Sequence, residues 1–390
     1  MRRRTRAAVL AASAMTLALA AGPLAAPALA APGPRAAPAA HRPTAPDAAA
    51  LRAALSGLPS DDATDALVRV GGTDGSWKGS AGVHDLVSGR EANPDGRFRA
   101  GSITKVVTAA TVLRLAADGR MDVNRPVQHY LPGLLGKSFE PISVRQLLNH
   151  TSGIQAGDGW GDDFGSQYAH RFDTVTPAQV VASAVAKGPE FRPGERQDYL
   201  NINYTILGML IEKVTGHSYA EEATRLVLRP AGMRDTYFPG ADPHIRGPHN
   251  HGYQKVDRPD GTTEFVDVTD WNQASIRAAG DMISTTADLE RLVTALFSGR
   301  IVPEPQLGDM FRVPKVREGE ASYSAGLQRF EYEGTVYWVK SGARYGYSNG
   351  IAATRDLRRT LAFSVGATDA KGDGMNPAAQ RIVFTALKQP

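Results

Sequence analysis

Apolar residues recur with helical spacing through the middle of the chain and gather in short strand-like runs at both ends. In "DAAALRAALSGL" (47–58), Leu51, Ala54 and Leu55 share one helical face. Two strand-like runs follow, "ALVRVGG" and "WKGSAGVHDL", with "TDGS" as the turn. A helix begins at Ser102. Its Val106, Val107, Ala109, Ala110, Val112 and Leu113 lie on nearly every side, which predicts a central, buried helix. "DGRMDVNRPVQHYLPGL" reads as loop with a short helix, and "ISVRQLLNHTSGI" as a helix closed by its glycine. Residues 155–173, rich in Gly and Asp, predict a long surface loop. "TPAQVVASAVAKG", "NYTILGMLIEKVTG" and "SYAEEATRLVLRPAGM" predict helices, the last ending near Pro230. The chain from 236 to 272 is polar and irregular. "STTADLERLVTALFSG" is a further helix with Ser284 as its candidate cap. The strand-like runs "YSAGLQRFEY", "TVYWVKSG", "GIAATRD" and "RTLAFSVGAT" come next, and "NPAAQRIVFTALKQ" is a last amphipathic helix. Strands at both ends with helices between predict an α+β fold whose sheet is built from both termini around an inserted helical domain. No internal repeat is present.

The first residues change the picture of the N-terminus. "MRRRTR" is basic, "AAVLAASAMTLALAAG" is apolar, and "ALA" at 28–30 is a small-residue cleavage site. Residues 1–30 therefore predict a signal peptide, cleaved near Ala30, and a secreted protein. The apolar stretch is short for a span, and Pro23 and Pro27 follow it, so no stable membrane anchor is expected. The Ala/Pro-rich residues 31–48 predict a linker. Residues 49–390 then form the domain, with an α/β part at 49–110 and 275–390 and a helical part at 111–274. The chain has no cysteine, which excludes disulfides, thiolate catalysis and Cys-zinc sites. A net charge of +4, of mixed sign and without a basic block, argues against a nucleic-acid partner.

Three stretches carry candidate chemistry. "FRAGSITKVVTAATVL" (98–113) puts Ser102 and Lys105 one helical turn apart on one face. The helix start aims free N–H groups and positive potential at Ser102. Inside an apolar helix Lys105 loses solvation, its pKa drops, and it accepts the serine proton; the alternative is a solvated lysine in a first turn. Ser-x-x-Lys occurs once in the chain. The second stretch holds Tyr199 and Asn201 before a helix, but Tyr-x-Asn recurs as "YSN" at 347–349. In the third, "YWVKSGARYGY" (337–347), a strand ends in Lys340-Ser341-Gly342. A strand edge with glycine suits a ligand chain, and the lysine and hydroxyl suit a carboxylate. The alternative is a lysine snorkelling from a strand end. His244, His249 and His251 crowd into "HIRGPHNHGY", but with no carboxylate placed among them they make a poor metal site.

Together and in this order, the three stretches resemble the penicillin-recognising serine hydrolases, nearest to class C β-lactamases and soluble D-Ala-D-Ala carboxypeptidases. The resemblance runs from residue 50 onward and extends to "LLNHTSGI", "PGERQDYLNINYTILGMLIE", "AAGDMISTTADL" and "GYSNGI". It implies a β-lactamase/transpeptidase-like fold, with an antiparallel sheet from both chain ends flanked by helices and an inserted all-helical domain. It selects Tyr199 and Asn201, after the Pro-Gly turn, as the functional pair. Tyr347 is then structural and His150 a packing or hydrogen-bonding residue. It implies that Ser102 attacks a carbonyl while Lys105 and Tyr199 share the general-base work. An ionised Tyr199 would draw on Lys105 and Lys340 as cationic neighbours. The N–H groups of Ser102 and Ala343 would form the oxyanion hole, and Asn201 would hold the substrate amide. Lys340, Ser341 and Gly342 would bind the substrate carboxylate end, aided by Arg277 or Arg329. No metal or cofactor is implied. The expected activity is a D-alanyl-D-alanine carboxypeptidase on peptidoglycan stem peptides, with β-lactams as covalent ligands. A β-lactamase, an esterase, a D-aminopeptidase or an amide hydrolase shares the same motifs. From a different class, a penicillin-binding sensor or wall-binding module would lack turnover. Two departures bear on substrate: Leu200 where serine is usual, and Lys340 where many carboxypeptidases carry histidine.

Overall fold

Short runs of Val, Leu, Ala and Gly from the two chain ends pair because neither end can bury its apolar residues alone. The structure, a computed structural model, describes residues 44–161 and 163–388. The expected signal peptide and most of the expected linker lie outside them. Ten strands are formed: β1 (Ala63–Gly71), β2 (Trp77–Gly82), β3 (Phe98–Arg99), β4 (Tyr253–Asp257), β5 (Thr263–Asp267), β6 (Ile283–Ser284), β7 (Gln328–Tyr332), β8 (Thr335–Arg344), β9 (Tyr347–Thr354) and β10 (Thr360–Ala367). Six of them make one antiparallel sheet in the order β2-β1-β10-β9-β8-β7. Strands β1 and β10 join the two ends of the chain, Val68 facing Phe363 and Val70 facing Leu361. Strand β10 is buried along its whole length, which is why it reads as a continuous apolar run and not an alternating one.

The two faces of the sheet have different covers. On one, Val68, Val70, Tyr337, Ala352, Phe363 and Val365 pack against the helices Ala48–Ala54 and Pro377–Leu387. Asp47 and Asn376 cap these helices through their side chains. On the other, Leu67, Trp338, Ile351 and Ala353 join the larger core around the helix Thr104–Ala117. That helix is buried from Thr104 to Leu113, as its all-round apolar pattern predicts. Its threonines are hydrogen-bonded; the Thr108 hydroxyl lies 2.7 Å from the Ala278 carbonyl and 2.8 Å from the Tyr219 hydroxyl. Between the two sheet-forming segments lie the helices Val144–Leu148, Pro177–Ala186, Asn201–Thr215 and Tyr219–Ala223.

Several local expectations change. The helix at 142–154 spans only Val144–Leu148. His150 adopts φ 61° and turns the chain before Gly153 is reached. The polar stretch 236–272 contains the hairpin β4–β5, turned at Asp260-Gly261, where the glycine takes φ 82°. The expected loop at 155–173 carries a helix, Phe164–Ala169, capped by Asp163. The cap of Thr286–Phe297 is Thr285, because Ser284 is drawn into β6 and bonds Thr236. Pro230 lies inside the last turn, and Gly232 (φ 75°) ends that segment.

Candidate active site

Ser102 stands in a short 3-10 turn, Gly101–Ile103, which runs directly into the helix Thr104–Ala117. Glycine is required on both sides of the approach to β8. A Cβ on Gly101 (φ 54°) would stand 2.8 Å from the Ala343 nitrogen. One on Gly342 would strike the Ala100 carbonyl oxygen and stand 3.1 Å from the Ser102 nitrogen. The backbone of Ser102 and the end of the third motif are thus in contact, which brings the Ser102 and Ala343 N–H groups together.

Lys105 has no solvent exposure. Its Nζ lies 3.1 Å from the Ser102 Oγ and 2.7 Å from both the Asn201 Oδ1 and the Ala279 carbonyl oxygen. Burial, and then the charge of Lys340, push its pKa well below the ordinary lysine value. The sequence's first alternative, a solvated lysine in a first turn, is excluded by this burial. Asn201 opens its helix with an exposed side chain.

The Tyr199 hydroxyl is buried and makes no hydrogen bond of normal geometry. Lys105 Nζ and Lys340 Nζ lie 5.0 and 4.7 Å from the centre of its ring. Burial nevertheless holds its pKa well above the ordinary tyrosine value, against a smaller opposite pull from the Ser102 hydroxyl. The ionised tyrosine considered from the motifs is therefore disfavoured. His150 packs against the Tyr199 ring at 4.5 Å between centroids, and its pKa is pushed down by burial and by Lys105. It is a neutral packing residue. Tyr323, which the motifs do not reveal, covers Tyr199 at 4.7 Å. Gln197 fixes it, accepting from the Ser322 and Tyr323 N–H groups.

Strand β7 pairs with β8 only as far as Gln328↔Val339, so residues 340–344 form an unpaired edge among the described residues. Alternation sends Lys340, paired with Ile351, to the side of the serine helix, together with Gly342 and Arg344. Ser341 and Ala343 face the other way, so the Ser341 hydroxyl reaches a ligand only around the free edge. Lys340 is buried, which lowers its pKa to about 7, and its Nζ donates to the Ser341 carbonyl at 2.8 Å. Neither further arginine is free for a carboxylate: Arg277 pairs with Glu212 and Arg329 with Glu331. The sequence also gave no sign of Asp281. It is buried beneath this site with a pKa raised by burial to about 7, and it accepts from the Ala278 N–H at 3.0 Å. That bond holds Ala278 at φ 62° and so presents the Ala279 carbonyl to Lys105.

Tyr347 and Asn349, the second Tyr-x-Asn, lie in β9 and serve the backbone. The Tyr347 hydroxyl donates to the Asn250 carbonyl, and the Asn349 amide to the Arg99 carbonyl. The histidines at 244–251 do have carboxylate neighbours, contrary to the reading of the sequence: His244 has Asp270 at 2.9 Å and His251 has Asp267 at 2.8 Å. Among the described residues no three such groups are placed to hold a metal ion. No described helix is long and apolar enough to cross a membrane.

Comparison with known proteins agrees with this arrangement. The Beta-lactamase family profile matches residues 25–383. Penicillin-binding protein 4* of Bacillus subtilis (strain 168) is 27% identical over 307 residues, 75% of this chain and 65% of that protein. Protein flp of Staphylococcus aureus (strain MW2) is 30% identical over 218 residues, 54% of this chain and 41% of that protein. The chain thus spans less than two thirds of either relative. Among solved structures, a D-stereospecific amidohydrolase from Streptomyces sp. superposes with a TM-score of 0.75 at 33% identity, over 88% of this chain and 99% of that one. D-amino acid amidase from Ochrobactrum anthropi SV3, complexed with D-phenylalanine, gives 0.71 at 22% identity, over 86% and 98%, a likeness of fold. With the profile matched over nearly its whole length, the chain belongs to the Beta-lactamase family of serine hydrolases.

Proposed function

We propose that this protein hydrolyses amide bonds of D-configured substrates through an acyl-enzyme on Ser102. The observation that carries the reading is the set of partners around Lys105. The Asn201 Oδ1 and the Ala279 carbonyl can only accept. They therefore take the two N–H bonds of a neutral amine and leave its lone pair for the Ser102 hydroxyl, 3.1 Å away. Burial favours that neutral form. Lys105 takes the serine proton as Oγ attacks the carbonyl carbon, and the carbonyl oxygen gains its charge between the N–H groups of Ser102 and Ala343. Tyr199, kept as a phenol, gives its proton to the departing nitrogen and regains one from Lys105. Water then attacks the acyl-enzyme, and its proton returns to Ser102 by the reverse route. Asn201 holds the acyl-side amide with its free N–H groups. The D-configuration rests on the Streptomyces amidohydrolase, which matches at 33% identity over 99% of its length.

A D-alanyl-D-alanine carboxypeptidase on peptidoglycan peptides, exported after cleavage near Ala30, is the second reading. It is favoured by Lys340 and Ser341 at the free edge of β8. It has lost Arg277 and Arg329, which carboxylates already engage. Matched N-acetyl-D- and N-acetyl-L-phenylalanine p-nitroanilides, assayed beside diacetyl-Lys-D-Ala-D-Ala, separate the two. The first reading expects cleavage of the D-anilide alone and its loss in Ser102→Ala. D-alanine release without anilide cleavage supports the second. Equal rates on both enantiomers would contradict the first, and ester turnover with no amide cleavage would make the protein an esterase.

A further inference from the structure

The free edge of β8 is cationic at both ends, and only the Lys340 end is used by the reading above. Lys340, Gly342 and Arg344 project to the same side, each about 7 Å from the next along the strand. The backbone of Ala100–Ser102 rests on Gly342, the middle one, so the serine sits between the two cations. Tyr199 and Tyr323 stand at the Lys340 end. Since Tyr199 serves the departing group, the Arg344 end receives the acyl side of the substrate.

That end is built around unmatched positive charge. Arg344 has no ion pair or side-chain hydrogen bond among the described residues, and its Nε is buried without a partner. Its guanidinium lies 5.9 Å from the Trp271 ring, which stacks on Tyr345 at 4.9 Å. Arg99, fully buried nearby, donates only to the carbonyls of Pro243 and Thr269, and its Nη1 also lacks a partner. Of the carboxylates near this end, Asp270 is engaged by His244, Asp267 by His251 and Asp163 by the Ser166 backbone and hydroxyl. Asp369, beside Tyr345, accepts from the Gln254 amide at 3.5 Å and pairs with no arginine among the described residues. A buried guanidinium N–H without an acceptor is costly, and an anionic acceptor from a ligand removes that cost.

We infer that Arg344 selects acyl donors carrying a carboxylate on the acyl side of the scissile bond and disfavours those with a free α-ammonium. The inference rests on the Ser102 hydrolase reading and narrows its substrate class. It sets the protein apart from an enzyme acting on simple D-amino acid amides, whose substrates present an ammonium at this end. The Trp271–Tyr345 stack, buried against Phe164 and Tyr168, backs the guanidinium.

Three p-nitroanilides with one scissile bond test this: succinyl-D-phenylalanyl, acetyl-D-phenylalanyl and free D-phenylalanyl, at pH about 7, where the α-amine is largely protonated. The wild-type protein is expected to rank them in that order in kcat/KM, with about tenfold between neighbours. Arg344→Gln should bring the succinyl-to-acetyl ratio toward one, Arg344→Glu should reverse it, and Arg344→Lys should keep its direction. The wild-type ranking and the charge-keeping variant remain informative if the other variants do not fold. A flat or reversed ranking in wild type, or a ratio unchanged in Arg344→Gln, overturns the inference. Labelling by a fluorophosphonate separates the two layers. A labelled Ser102 with a flat series rejects the charge preference alone. An unlabelled Ser102 with no turnover rejects the hydrolase reading, and the inference with it.

Discussion

The chain writes Tyr-x-Asn twice and uses it in two ways. At 199–201 the tyrosine hydroxyl is buried without a partner, and the asparagine, an exposed residue, holds Lys105 through its oxygen. At 347–349 the hydroxyl donates to the Asn250 carbonyl and the amide nitrogen to the Arg99 carbonyl, while the Asn349 Oδ1 is buried without a partner. The difference lies in the hydrogen-bond satisfaction of the two tyrosine hydroxyls. A buried group that has its partner holds the fold together, and one that lacks it stands ready for a ligand or a reacting proton. Composition does not separate the copies, but the cations do. Lys105 and Lys340 flank the ring of Tyr199, whereas the cation beside Tyr347 is the buried Arg99, opposed by Asp267 and Asp65.

The sharpest break of this comparison is at Lys105. Lys105→Met keeps the length of the side chain and removes the proposed base, so kcat/KM should fall by about a hundred- to ten-thousand-fold with the circular dichroism spectrum intact. Next, Tyr199→Phe should lose about a hundredfold or more in turnover with its Tm near that of wild type. Tyr347→Phe should do the reverse, losing about 1 kcal/mol of stability with kcat little changed. Exchanged outcomes would mean that the copies have been assigned the wrong way round. The pH profile sharpens the same point. Because burial lowers the pKa of Lys105, its protonation should produce an acid limb in kcat/KM well below the usual lysine value of 10.5. The rate should fall as pH falls through that limb, and no limb should remain in Lys105→Met.

The fold was legible in the sequence where burial is extreme. The all-round apolar helix and the apolar run of β10 can be satisfied only where they are covered on both sides, and the structure places the helix in the larger core and β10 inside the covered sheet. The hairpin β4–β5 is hidden in the sequence, although Asp260-Gly261 is a turn signal, because its polar flanks mask the alternation. The helix before His150 is shorter than its pattern implies, since a histidine at φ 61° is set by its packing against Tyr199 and not by local preference. At the site, the three motifs named the residues that meet around Ser102. Asp281, Tyr323 and Arg344 were invisible because their importance comes from neighbours distant in the chain. Asp281 matters through Ala278 and Lys105, Tyr323 through Gln197 and Tyr199, and Arg344 through Trp271.

A smaller effect separates two buried carboxyls in the same spirit. Asp65, in β1 and remote from Ser102, has its pKa raised from 3.8 to about 8 by burial, beside Thr64. The folded protein therefore binds the proton more tightly than the unfolded chain does. Stability should fall as pH rises from about 4 to about 8 and level off above. Asp65→Asn should flatten that slope in thermal melts without touching kcat, whereas Asp281→Asn should alter the pH dependence of turnover. An unchanged slope in Asp65→Asn would show that this carboxyl is not the source.

Acylation of Ser102 with Lys105 as its base, the step proposed above, is measured directly by mass spectrometry of protein treated with a penicillin. A single adduct is expected, mapping to the peptide that contains Ser102. It should be absent in Ser102→Ala and should form far more slowly in Lys105→Met. An adduct that survives Ser102→Ala, maps elsewhere, or forms at the wild-type rate in Lys105→Met would contradict the account.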